Sequence, residues 1–186
     1  EPRALGRLAD RLESDDRLAL VAPRLLYPGG GRQFSWSPER GVLGEALQQL
    51  RNPHEARAWV HGPAARLASR IAGPPWYTAA CVLVRAAAFR DVGGFDERFF
   101  MYFEDVDLCV RLRDAGWRLA DEPAAVARHA GGFARHPQID ELYRPSQLRY
   151  YALHRPRWEQ RLIARRLRQR FGDRAVDAWL VSGAAP

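Results

Sequence analysis

The sequence predicts an α/β chain, a mixed sheet flanked by helices, with a helical tail at its C-terminal end. Three observations predict it. Short β-rich apolar runs recur at Leu18 to Pro23 and Trp76 to Val84. Amphipathic segments of helical period lie between and around them. Beyond Pro137 the pattern is helical and arginine-rich to the last residue. Strands interleaved with helices argue against a helical bundle.

Taken in order, Leu5, Leu8, Ala9 and Leu12 fall on one helical face, so Pro2 to Ser14 reads as an amphipathic helix with Pro2 in its first turn. Leu18 to Pro23 reads as a short buried strand. Leu25-Leu26-Tyr27 then enters Pro28-Gly29-Gly30-Gly31, a turn whose glycines supply positive φ. No Gly-Lys-Ser/Thr follows it, so it is not a phosphate loop. Val42 to about Val60 reads as a second helix, with Leu43, Ala46, Leu47 and Leu50 on one side and a break at Pro53. Gly73-Pro74-Pro75 is a stop. Trp76 to Val84 reads as a single interior strand, and Arg85 to Phe89 as a brief helical turn before Gly93-Gly94. Glu104 opens a helix running to about Ala115, with Gly116 at the C′ position. Trp117 to Ala120 and Ala124 to Arg128 read as two short strands on either side of Glu122-Pro123.

Composition bounds the function. The 186 residues, 47% apolar and 27% charged, can form a real core. The net charge is +7, and all 29 basic residues are arginine. Such a surface attracts nucleic acid, anionic lipid or pyrophosphate-bearing substrates, and charge alone does not choose among them. Cys81 and Cys109 have no metal-type spacing and form no disulfide framework, so they read as small core residues in a reducing compartment. No apolar run approaches a membrane span. No apolar leader follows Glu1-Pro2-Arg3 and no methionine starts the chain, so a trimmed or incomplete chain is expected.

The most informative stretch is Phe95 to Leu108. It is dense in aromatic residues and places Glu104, Asp105 and Asp107 in the first turn of a helix. One reading is a cap: carboxylates there meet the positive end of the helix dipole. Three acids in four positions repel one another, however, and exceed what a cap requires. They follow an aromatic segment able to wall a cleft, and a Gly93-Gly94 pair that permits a sharp turn. Carboxylates clustered beside apolar walls have raised pKa values and serve as general bases.

Gly93-Gly94-Phe95-Asp96-Glu97, Phe99-Phe100-Met101-Tyr102, Glu104-Asp105-Val106-Asp107-Leu108, Arg111 and Gly116 resemble the acceptor-side signature of family 2 glycosyltransferases, in particular rhamnosyl- and galactofuranosyltransferases of bacterial cell-surface polysaccharides. The resemblance is densest from Gly73 to about Gly132. It implies a partial GT-A-like, Rossmann-related fold and inverting transfer from a nucleotide-diphosphate sugar to a saccharide acceptor, lipid-linked in such pathways. By the same resemblance Asp105 matches the catalytic base. Asp96 and Glu104 would sit near the acceptor hydroxyls and orient the nucleophile, with Asp107 either bracing Asp105 or capping the helix; Trp76, for its polar handle, and Gly94, for close backbone approach, are the further substrate-binding candidates. His129 matches a ligand of a divalent metal, Mg or Mn, whose main ligands would be a carboxylate pair. The donor half's own Asp-X-Asp motif and nucleotide-binding unit do not occur in this sequence, whose Asp105-Val106-Asp107 belongs to the acceptor-side signature, so residues 1–137 are expected to be the C-terminal part of such a domain without its donor half, and 138–186 a basic helical tail. Ala79 stands where the family has glycine.

Phe99, Phe100 and Phe103 read as core, whereas Trp76 and Tyr102 carry polar handles suited to stacking on a sugar. Arg155 to Arg174 reads as one basic amphipathic helix, with Trp158 and Trp179 nearby. It is either a solvated face or a peripheral attachment to an anionic membrane, which would put the chain in the cytoplasm at the inner face of the bacterial membrane. The rival to an enzyme is a non-catalytic basic module binding membrane or nucleic acid. Nucleic acid ranks last, because no recognition signature is present.

Overall fold

In the computed structural model, the described residues are 1–51, Leu67, 75–131 and 138–184. The expected continuation of the second helix to Val60, its break at Pro53 and the Gly73-Pro74 stop lie outside them. Helix α1 (Ala4–Glu13) buries Leu8 and Leu12 against Leu18, Val21 and Ala125, whereas Leu5 is exposed. Strand β1 (Leu18–Leu26) runs on past Pro23, and its first six residues are all buried. A strand covered on both faces needs such a continuous apolar run.

Strand β1 is the centre of the main sheet. Its C-terminal end pairs antiparallel with β2 (Arg32–Gln33) through the Tyr27 to Gly31 hairpin, where Gly30 has φ 89°. Its N-terminal half pairs antiparallel with β5 (Leu83–Val84), and its other edge pairs in parallel with β6 (Arg118–Arg128). The two short strands expected around Glu122-Pro123 are therefore one strand with an irregularity. The register jumps from Pro23 opposite Glu122 to Arg24 opposite Val126. Pro23 has no N–H to give the ladder, and the Glu122 carboxylate accepts the Ala124 N–H at 2.9 Å within the extra residues.

The single strand expected over Trp76 to Val84 is two strands. β4 (Pro75–Tyr77) pairs with β3 (Trp36–Pro38) in a separate two-stranded sheet, and β5 joins β1. The intervening residues turn between the two sheets. In helix α2 (Val42–Arg51), Leu43 and Ala46 of the side expected to be buried are exposed, and Glu45 is buried instead, its carboxylate accepting both 2.9 Å bonds from the Gln147 amide.

Helix α3 (Ala86–Asp91) leads into Gly93 and Gly94, with φ of 77° and 75°. A Cβ on Gly94 would meet the Phe89 ring at 3.2 Å, so this turn requires glycine for both conformation and space. Helix α4 (Glu104–Asp114) buries Val106, Leu108, Cys109, Val110 and Leu112. Of the three phenylalanines expected in the core, Phe99 and Phe103 are buried and Phe100 is 82% exposed.

The expected tail is three helices, α5 (Ile139–His154), α6 (Arg157–Phe171) and α7 (Asp173–Ala184). The single basic helix expected over Arg155 to Arg174 is broken at Gly172, which has φ 83°. Tyr150, Ile163 and Val176 share one core cluster with Leu20, Trp76 and Leu108, so the three helices belong to the same hydrophobic core as the sheet and α4.

Candidate active site

Helix α4 begins from a strained backbone. Tyr102 and Phe103 both occupy the left-handed region, at φ 66° and 67°. Bulky residues there cost roughly 1–3 kcal/mol each, and such strain concentrates at functional sites. Packing offsets it: the Phe103 ring lies 5.1 Å from Tyr143 and 5.3 Å from Tyr150, both on α5. The Phe103 carbonyl accepts the Asp107 N–H at 2.8 Å and so starts the helix.

Asp105 follows, half-buried. Its Oδ1 accepts the Val106 N–H at 2.8 Å, and its Oδ2 accepts the Ala79 N–H at 3.2 Å. The second donor comes from the turn between β4 and β5, which is why the break in that run matters. Burial pushes the Asp105 carboxyl above its ordinary range, opposed by these two N–H groups, the Arg40 charge and the Thr78 hydroxyl. Glu104 is pushed up to about 7, first by burial and then by the neighbouring Asp105 charge.

Both acids line a cavity of about 830 Å³ together with Trp76, Thr78, Tyr102, Tyr143, Arg40, Arg144 and Arg170. Four polar atoms of its lining residues are buried without a partner: Glu104 Oε2, Tyr102 Oη, Trp76 Nε1 and Arg40 Nε. Orphaned polar atoms of this kind cost free energy until a partner arrives. The arrangement is suited chemically to holding a polar, ring-sized molecule and taking a proton from it.

The cavity brings together Asp105, Glu104 and Trp76 of the residues singled out in the sequence. Asp96, Gly94 and His129 are not among its lining residues. Asp96 is bound by Arg98, whose Nη2 lies 2.8 Å away and whose hydrogen bonds hold the carboxyl below its usual range. Asp107 neither braces Asp105 nor caps the helix. It is buried, with Arg111 Nε at 2.7 Å and His154 Nε2 at 2.7 Å, and ties α4 to α5. His129 follows β6; its Nδ1 lies 3.1 Å from Gln33 Oε1. Among the described residues no three His, Cys, Asp or Glu side chains converge as a group able to hold a metal. The described residues therefore do not by themselves form a metal site. Arg40, Tyr143, Arg144 and Arg170 were not found by sequence reasoning, because no local motif marks them.

Fold and site define an α/β chain with a carboxylate-bearing cleft at the start of a helix, beside a mixed sheet. The family model described as glycosyltransferase like family 2 matches residues 38–160, and the chain belongs to that family. Its mixed sheet flanked by helices agrees with a partial GT-A-like fold. Over 54 residues it is 56% identical to an N-acetylglucosaminyl-diphospho-decaprenol L-rhamnosyltransferase of Mycobacterium tuberculosis, covering 29% of this chain and 18% of that protein. Over 61 residues it is 48% identical to the rhamnosyltransferase WbbL of Escherichia coli K12, covering 33% and 22%. A pre-mycofactocin glycosyltransferase of Mycobacterium tuberculosis is 54% identical over 50 residues, covering 27% and 10%. The matches thus span less than a quarter of each relative's length. No solved structure gives a significant match.

Proposed function

We propose that this chain is the acceptor side of an inverting glycosyltransferase that moves a sugar from a nucleotide-diphosphate donor to a saccharide acceptor, lipid-linked, in cell-surface polysaccharide synthesis. One observation carries the reading: the Asp105 carboxylate, fixed by the Ala79 and Val106 N–H groups, on the wall of a cavity large enough for a sugar. Asp105 takes the proton of the acceptor hydroxyl as that oxygen forms its bond to the anomeric carbon. The bond from that carbon to the diphosphate breaks, and the electron pair leaves with the diphosphate. Glu104 and Trp76 orient the acceptor. Asp96 and Gly94 support the turn leading to the helix, one step removed from the acceptor. A divalent metal, Mg or Mn, would need ligands beyond His129, and no step is assigned to it. The rhamnosyl relatives make a deoxyhexose donor the first to try.

The test is transfer from a panel of nucleotide sugars, measured on the chain with and without an upstream Asp-X-Asp segment. Asp105→Asn is expected to lower turnover by about 10²–10⁴, the usual worth of a general base, with the fold unchanged by circular dichroism. Turnover within a few-fold of the parent would remove Asp105 from the role.

The surface of α6 supports attachment to the inner face of a membrane. Trp158 and Leu162 are exposed beside Arg157, Arg161, Arg165 and Arg166. Among the described residues no helix is long and apolar enough to cross a membrane, so any contact proposed is peripheral.

A further inference from the structure

Arg40 lies between β3 and α2 and lines the Asp105 cavity. Its guanidinium carbon is 5.1 Å from the centroid of the Trp76 ring and 5.3 Å from that of Phe103. Stacking on aromatic faces fixes a guanidinium and leaves the in-plane N–H fork available. The Arg40 Nε is buried and has no acceptor. Three of the four acids lining the cavity are engaged elsewhere, and the fourth, Glu104, has an unpartnered Oε2 and holds its proton up to about 7. Asp140 is paired with Arg144 at 2.9 Å, Glu45 accepts from Gln147, and Asp105 accepts from two backbone N–H groups. A cationic donor left without an acceptor inside a cavity is costly, and a ligand bringing oxygens relieves that cost.

We infer that Arg40 is the centre of a diphosphate-binding subsite in this cavity, with Arg170 as a second cation lining it. The guanidinium fork matches phosphoryl oxygens two at a time, and a diphosphate presents enough of them to engage both arginines. This rests on the transfer reading, in which the donor carries a diphosphate and a lipid-linked acceptor carries another. The chemistry of the subsite is shared by both sources. It also couples to the base: Arg40 favours the Asp105 anion, and an anion bound on Arg40 weakens that support, so diphosphate binding raises proton affinity at Asp105.

The measurement is calorimetric binding of inorganic pyrophosphate to the full chain without added metal. Arg40→Gln should weaken it about tenfold or more, as expected for loss of a charged hydrogen-bonding partner. Arg40→Lys, keeping charge without the fork, should fall between. Arg165→Gln, which removes the same charge from the exposed side of α6, should leave it unchanged. No binding, or equal weakening by Arg40→Gln and Arg165→Gln, overturns the subsite. Displacement of pyrophosphate by a nucleoside diphosphate assigns the subsite to the donor, and displacement by geranyl diphosphate assigns it to the acceptor; displacement by neither overturns it. Asp105→Asn separates the two readings, since it should abolish transfer and retain pyrophosphate binding. A chain that binds through Arg40 yet transfers nothing sinks the catalytic reading alone.

Discussion

Glu104 is a carboxyl that holds its proton to about 7 in the folded chain against an ordinary value of 4.5. The folded state therefore binds more protons than the unfolded state between those values. Glu104 therefore makes stability fall as pH rises across that window and adds no slope on either side of it. Glu104→Gln removes the group that causes the slope. Melting temperatures from pH 4 to pH 9 should decline through the window for the parent and decline less for the variant. Equal slopes in both would show that Glu104 titrates normally. The same single-residue view explains why the acids part company. A helix advances about 100° per residue, so Asp105 and Asp107 point some 200° apart. Asp105 faces the cavity, whereas Asp107 faces His154. As residue types the two look alike; the family resemblance singles out Asp105, and the rotation of the helix gives the physical reason, turning Asp107 toward Arg111 and His154 as a structural anion.

At the scale of elements, Asp107 joins α4 to α5 through Arg111 and His154, and it is 1% exposed. Removing one member of a buried charged set leaves the others uncompensated, at roughly 3 kcal/mol where, as here, Arg111 still reaches solvent. Asp107→Ala should lose about that much in urea denaturation, and Asp107→Asn less. A loss under about 1 kcal/mol would deny the linkage that role. Most helices and the central strand were legible, because helical and strand periods survive in local sequence. The acidic helix start was legible because its chemistry is contiguous from Gly93 to Leu108. The turn at Ala79 was not: nothing in a β-rich run from Trp76 to Val84 reveals that its halves join different sheets. Nor was Arg40, whose partners Trp76 and Phe103 lie far away in sequence and meet it only by packing.

Across the whole molecule, cleft and basic helix belong to one body, because α5 contributes both to the cavity wall and to the core beneath α6. Each arginine near an anionic surface contributes roughly 1 kcal/mol. Reversing two, Arg161→Glu with Arg165→Glu, should weaken binding to phosphatidylserine-containing vesicles by more than about tenfold. Parent binding should also fade as salt rises. Binding unaffected by the reversal would place the contact elsewhere. Asp105→Asn in the same assay should bind as the parent does.

The parallel pairing of β1 with β6 also orders events in time. Leu18 meets Arg118, and Leu26 meets Arg128. A ribosome adding about 5–20 residues per second releases β1 several seconds or more before its long parallel partner exists. Through that interval a run of apolar residues from Leu18 to Val21 has neither its β6 neighbour nor the β5 edge that also comes later. The strand at the centre of the finished sheet is thus made well before the two strands that cover its N-terminal half.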